Sequence, residues 1–134
     1  LKSIARDENI EKQVIFTGAL IREEVSKWMN RWDVFVLPSR YETFGVVYIE
    51  ALASGKPTIG AYNGGAEDII SKEVGILVEK DNVVDLGNAM EYIKNNIEKY
   101  DPQEVRKYCI NKFSPEIIVN KIINVYQEVI KERS

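Results

Sequence analysis

Two acidic side chains, Glu42 and Glu50, are separated by seven residues that include Phe44-Gly45. Glu42 falls in the segment Ser39 to Gly45, after the apolar run Val34-Phe35-Val36-Leu37 and Pro38. Glu50 lies about one turn inside Val46 to Ser54, which has the character of a short helix ending at Gly55 with Pro57 beyond. The start of such a helix presents unpaired N–H groups and about half a positive charge. Gly45, just before it, lets a ligand approach the backbone closely, so a phosphate can dock there without a lysine. The alternative is that Gly45 serves only the turn. Glu50 is surrounded in sequence by Val46, Val47, Tyr48, Ile49, Ala51, Leu52 and Ala53, where an unsatisfied carboxylate is costly. A ribose diol offers one carboxylate two hydroxyl donors. The alternatives for Glu50 are an internal ion pair, for example with Arg40, or exposure at a helix edge. Glu42 is placed on the same side of the cleft, with plain solvent exposure as its alternative.

The composition narrows the chemistry. The chain has 134 residues, 45% apolar and 29% charged, a globular profile. Lys plus Arg is 18 against 21 for Asp plus Glu, a net charge of −3, which argues against a nucleic-acid partner bound by bulk charge. There is no histidine, which removes the commonest general base, the Ser-His-Asp triad and most zinc sites. The single cysteine, Cys109, cannot form an internal disulfide, fits a reducing compartment, and is expected to be inert in a partly apolar helix. The apolar runs are far shorter than the ~20 residues of a membrane span, and there is no signal-peptide pattern. A cytoplasmic setting is expected. The opening Leu1-Lys2-Ser3 suggests a piece of a longer protein.

Four strands are predicted: Gln13 to Thr17, Asp33 to Leu37, Pro57 to Ala61 and Gly75 to Val78. Helices are predicted over Leu1 to Asp7 (the tail of one), Glu23 to Trp32, Val46 to Ser54 and Ala66 to Ser71. A helical region from Val83 to Arg133 is broken near Asp101-Pro102 and Ser114-Pro115, with each proline in the first turn of a new helix. Trp28 and Trp32 are expected to pack their helix into the core. Alternating strands and helices imply an α/β fold: one Rossmann-like domain over residues 1–134, a doubly wound parallel sheet flanked by helices. In such sheets ligands bind beyond the carboxyl ends of the strands, where Gly18 to Ile21, Ser39 to Gly45 and Tyr62 to Gly65 fall.

The stretch Pro38-Ser39-Arg40-Tyr41-Glu42-Thr43-Phe44-Gly45-Val46-Val47-Tyr48-Ile49-Glu50-Ala51-Leu52-Ala53-Ser54-Gly55-Lys56-Pro57 resembles the signature of group 1 (family 4-type) retaining glycosyltransferases. That signature is a Pro-Ser followed by Glu-x7-Glu, with Phe-Gly after the first acid and Glu-Ala-x-Ala-x-Gly-x-Pro from the second. Val14-Ile15-Phe16-Thr17-Gly18, Gly64-Gly65 with Glu67, and Gly75-Ile76-Leu77-Val78 resemble flanking pieces of the family in the right order. The resemblance implies the C-terminal, donor-binding half of a two-domain GT-B architecture. It implies that Glu50 hydrogen-bonds the donor ribose and that Glu42 acts beside the transferred sugar as the catalytic acidic residue. By the same resemblance, backbone amides of Thr43, Phe44, Gly45, Val46 and Val47 hold the sugar and diphosphate, and the segment Phe16 to Leu20, with Thr17 and Gly18, lines the base pocket. The implied partners are a nucleotide-sugar donor and a sugar, lipid-linked or polysaccharide acceptor, in polysaccharide or glycolipid assembly. No metal or other cofactor is expected.

The family's domain also carries an earlier strand, a Gly-rich loop and a diphosphate-binding Arg and Lys, and the enzymes have an acceptor domain. These are expected to lie outside this chain, together with any peripheral attachment to the cytoplasmic membrane face. The isolated chain is therefore expected to show no transfer, because leaving-group charge is poorly stabilised without those cations. In the family the last helix, here about Pro115 to Arg133, reaches back to the other domain; the alternative is ordinary packing on this one. A nucleotide-sugar epimerase of the same architecture and a non-catalytic nucleotide-binding domain are the competing functions.

Overall fold

A computed structural model describes residues 1–132. Strands β1 (Phe35–Leu37), β2 (Thr58–Ala61) and β3 (Gly75–Val78) form a parallel sheet in the order β1-β2-β3. Phe35 stands opposite Thr58, and Thr58 opposite Gly75. The helices are α1 (Lys2–Asp7), α2 (Arg22–Arg31), α3 (Val46–Ala53), α4 (Val83–Asn95), α5 (Pro102–Phe113) and α6 (Pro115–Glu132). The predicted end at Arg133 lies outside the described residues.

β2 is apolar and fully buried because α3 and α4 both pack on it, whereas β1 stays half-buried. Gly60 of β2 faces Tyr48 of α3, where a Cβ would lie 3.5 Å from the Tyr48 ring. Its neighbour Ile59 shares the opposite side with Met90 of α4. α5 packs on α3, completing a core that includes Leu52, Ile59, Ile69, Val78, Ile93 and Val105. Caps fix the helix starts. Asn82 Oδ1 accepts from Asp85 N at 3.0 Å, and Asp101 Oδ1 accepts from Gln103 N at 2.7 Å, with Pro102 in the first turn of α5. Such caps contribute about 1 kcal/mol each.

Three expectations need correction. Gln13 to Thr17 is not a strand: a 3₁₀ turn takes Glu11–Gln13, and the extended residues after it pair with no strand among the described residues. A lone extended segment has nowhere to place its N–H and C=O groups except water, and Ile15 is accordingly 72% exposed. Ala66 to Ser71 is a single turn rather than a helix, closed by Ile69 N and Ile70 N on Ala66 O at 3.0 and 2.8 Å. Trp28 and Trp32 are half-buried and lie outside the core, and Met29 is the buried residue of α2. The two indoles instead continue a chain of rings, Trp28 to Trp32 at 6.2 Å and Trp32 to Phe35 at 6.5 Å. α6 buries none of its residues and leaves Ile122 and Val125 at least half exposed, so it is not packed on this body in the ordinary way.

Two glycines with opposite surroundings test the packing. A Cβ on Gly75 would overlap the Thr58 carbonyl across the β2–β3 pair, whereas one on Gly87, inside α4, meets nothing. Gly75→Ala is expected to lower stability by more than about 3 kcal/mol in urea melts, and Gly87→Ala to raise it by about 0.5–1 kcal/mol. Cys109 is buried in α5, its Sγ 3.5 Å from Ile49 O, and burial raises its thiol pKa. Labelling by a thiol reagent at neutral pH is expected only as fast as the chain opens, with denaturant accelerating it sharply.

Candidate functional site

The carboxyl ends of all three strands lie along one edge of the sheet, so the loops that follow them meet there. The loop after β1 carries Glu42 and is held from both sides. On one side stands Asn63, whose Nδ2 donates to Ser39 O at 3.1 Å while its Oδ1 accepts from Gly65 N and Ala66 N at 3.1 and 3.0 Å. A Cβ on Gly65 would sit 2.7 Å from Glu42 O and 3.2 Å from Phe44 N, so the glycine allows this turn to lie directly on the Glu42 backbone. On the other side, Arg40 Nε donates to Asp81 Oδ1 at 2.7 Å, and Lys80 Nζ lies 5.6 Å from the Tyr41 ring centroid.

Glu67 braces the turn by accepting from Gly64 N at 3.0 and 3.2 Å. Burial pushes its carboxyl pKa up, but backbone N–H donors and Lys80 outweigh that, and the net shift is downward.

The start of α3 is built around one ring. Gly45 adopts φ 83° and ψ 47°, and a Cβ there would collide with the Tyr48 ring and lie 3.2 Å from Glu42 Cγ. Tyr48 is fully buried and its hydroxyl donates to Leu37 O at 2.8 Å. Burial raises its phenol pKa, opposed by Asn63 and Ser39 and reinforced by the negative charges of Glu42 and Glu67. Glu42 is half-buried, while Thr43, Phe44 and Val46 are exposed and Val47 is half-buried. No side chain caps α3, so its first N–H groups face an accessible surface bordered by Glu42.

Glu50 points into a groove between α2 and α3, about 200 Å³ in volume, lined by Val25, Ser26 and Met29. Its Oε1 lies 3.8 Å from Nη2 of Arg22, at the first position of α2, and its side chain stays 38% exposed. Arg40, the example offered for an ion-pair alternative, is engaged by Asp81 instead. A pair this long, with Arg22 90% exposed, contributes no more than about 1 kcal/mol and is easily exchanged.

Thr17 and Gly18 are exposed; Thr17 Oγ1 donates only to Gly18 O at 3.3 Å, and Gly18 has φ 71°. Neither bonds to Glu42 or Glu50; Arg22, at the start of the helix after their loop, is the residue that contacts Glu50. Arg22, Asn63 and the Lys80-Asp81 loop are contributors that sequence reasoning missed. Asn63 had a signal, an Asx-turn residue before Gly-Gly, and Lys80-Asp81 follow a strand end just as the other loops do. Arg22 had none.

The matching protein-family model is that of glycosyl transferases group 1, over residues 1–113. An uncharacterised glycosyltransferase of Methanocaldococcus jannaschii is 37% identical over 109 residues, 80% of this chain and 31% of that protein. Sucrose-phosphate synthase from Thermosynechococcus elongatus superposes with a TM-score of 0.81 at 28% identity, covering 98% of this chain and 34% of that one. The Anabaena protein HepE, solved with UDP-glucose, gives a TM-score of 0.79 at 22% identity, covering 94% of this chain and 35% of its own. The chain spans about a third or less of the length of the curated relatives it matches. With its Glu-x7-Glu segment folded as loop and helix at the strand ends of a parallel sheet, the chain belongs to the glycosyl transferases group 1 family.

Proposed function

We propose that this chain binds the donor of a retaining glycosyltransferase that moves a sugar from a nucleotide to a sugar, lipid-linked or polysaccharide acceptor. The observation that carries the reading is the uncapped start of α3, flanked by Glu42 before it and Glu50 within it. The diphosphate sits against the free N–H groups of Val46 and Val47 and the backbone of Thr43 to Gly45, where oriented amides and the helix dipole offset its charge. Glu50 exchanges Arg22 for the ribose hydroxyls, two neutral donors for one loose ion pair. Glu42, fixed through its own backbone, receives the hydroxyls of the transferred sugar and opposes positive charge developing at the reacting carbon. Thr17 and Gly18, five and four residues before Arg22, border the base.

This binding scheme calls on no metal or other cofactor. The acceptor and the cations that neutralise the leaving diphosphate are assigned to parts of the enzyme beyond this chain. UDP-glucose bound to HepE and sugar transfer named for the relatives support this reading.

Calorimetric titration of the chain with UDP, GDP and ADP, each as ribo- and 2′,3′-dideoxy-nucleotide, tests the assignment. The best ribonucleotide is expected to bind weakly, and Glu50→Gln to weaken it about tenfold while leaving its dideoxy form unchanged. Equal affinity of ribo and dideoxy forms for the unmodified chain overturns the role of Glu50. In the complete enzyme Glu42→Gln is expected to lower turnover on the order of 100-fold with little effect on nucleoside-diphosphate binding. The isolated chain is expected to transfer no sugar, and measurable transfer refutes that expectation.

A further inference from the structure

A second groove, about 590 Å³ in volume, runs along the outer edge of β3. Neither Glu42, Glu50 nor the start of α3 lines it. Its walls include Tyr62, Tyr92 and Tyr100, with Ser71, Lys72 and Glu67 at hand. Tyr62 and Tyr92 are about half exposed, at 45% and 48%. Tyr100 is different: it is only 8% exposed, and its hydroxyl has no hydrogen-bond partner among the described residues. That oxygen is open to water, and Tyr100 lines the groove. A ligand hydroxyl in the groove can take the place of the water on that oxygen.

The chemistry of the walls selects the class of ligand. Lys72 and Glu67 set opposite charges in the walls. Lys99, whose Nζ lies 5.5 Å from the Tyr92 ring centroid, does not itself line the groove, so the walls make no cationic cluster for an anion such as phosphate. Half-exposed aromatic faces next to hydroxyl groups suit a molecule that is apolar on its flat faces and hydroxylated at its rim. The volume lies within the range of ~300–1,000 Å³ usual for small-ligand sites.

An extended peptide pairing with the strand edge is the rival occupant. The ladder bonds Thr58 N to Val74 O and Tyr62 N to Val78 O set the phase of β3, so Ile76 bonds towards β2 and only the alternate residues face out. Gly75 N is already taken by Ser71 O at 3.0 Å. The outer edge therefore offers Leu77 N–H and C=O and little more, too short a run to add a strand.

We propose that the groove beside β3 is a binding site for a neutral saccharide, with Tyr62 and Tyr92 giving ring faces and the Tyr100 hydroxyl giving a hydrogen bond. Such a site would hold part of a glycan on the same body that carries the Glu42–Glu50 pair, and its binding needs no nucleotide.

The test is an NMR titration of the isotopically labelled chain, without nucleotide, with neutral mono- to trisaccharides of glucose, mannose, galactose and N-acetylglucosamine. At least one series is expected to shift the amides of Gly75 to Leu77 at millimolar concentration. Tyr100→Phe, which keeps the packing, is expected to weaken that binding about fivefold, and Tyr92→Ala about tenfold. The proposal is overturned if no sugar shifts these amides, if both variants bind as the unmodified chain does, or if only extended peptides shift them. UDP binding measured on the same samples reports the donor reading separately, so either can fail while the other stands.

Discussion

The hydrogen bond from the Tyr48 hydroxyl to the Leu37 carbonyl ties the first strand to the helix that follows it. Tyr48 lies wholly inside the protein, where an unpaired phenol would cost about 1–3 kcal/mol, so helix and strand end are held in one relative position. Its ring also dictates its neighbours. It leaves no room for a side chain at Gly45 and meets Phe35 edge-on at 6.2 Å. The uncapped helix start is thus a by-product of packing: the residue that would cap it must be glycine because an aromatic ring occupies the space.

What was legible in the sequence, and what was not, follows the range of the interactions. Phe35–Leu37, Thr58–Ala61 and Gly75–Val78 were readable because strands covered on both faces must be apolar throughout. Pro102 and Pro115 marked the starts of α5 and α6 because a first turn tolerates a missing N–H. Gln13 to Thr17 has a strand's composition, but pairing is a property of two segments and no local pattern reports a missing neighbour. Glu42 and Glu50 stood out through their spacing and their apolar surroundings. Their partners did not, since the contact of Glu50 with Arg22 and the support of Ser39 by Asn63 join segments far apart in sequence.

The two acids are held in different ways. Glu42 is positioned through its backbone, from Gly65 on one side and from the Arg40–Asp81 pair beside it. Glu50 is positioned by its helix, and its ionic contact with Arg22 is long and open to water. The first arrangement suits a group whose location matters at the reacting atoms. The second suits a group that must accept whatever hydroxyls arrive.

The contact of Gly65 with the Glu42 carbonyl has an evolutionary corollary. A side chain at 65, or a lengthened turn between Tyr62 and Ala66, would lift the backbone from Glu42 to Phe44 and carry the head of α3 with it. Drift in that turn is therefore constrained by a residue more than twenty positions upstream. New preferences among sugars have to be written on the exposed rim, at positions such as Tyr41, Thr43 and Val46, where side chains can change without displacing the scaffold beneath them.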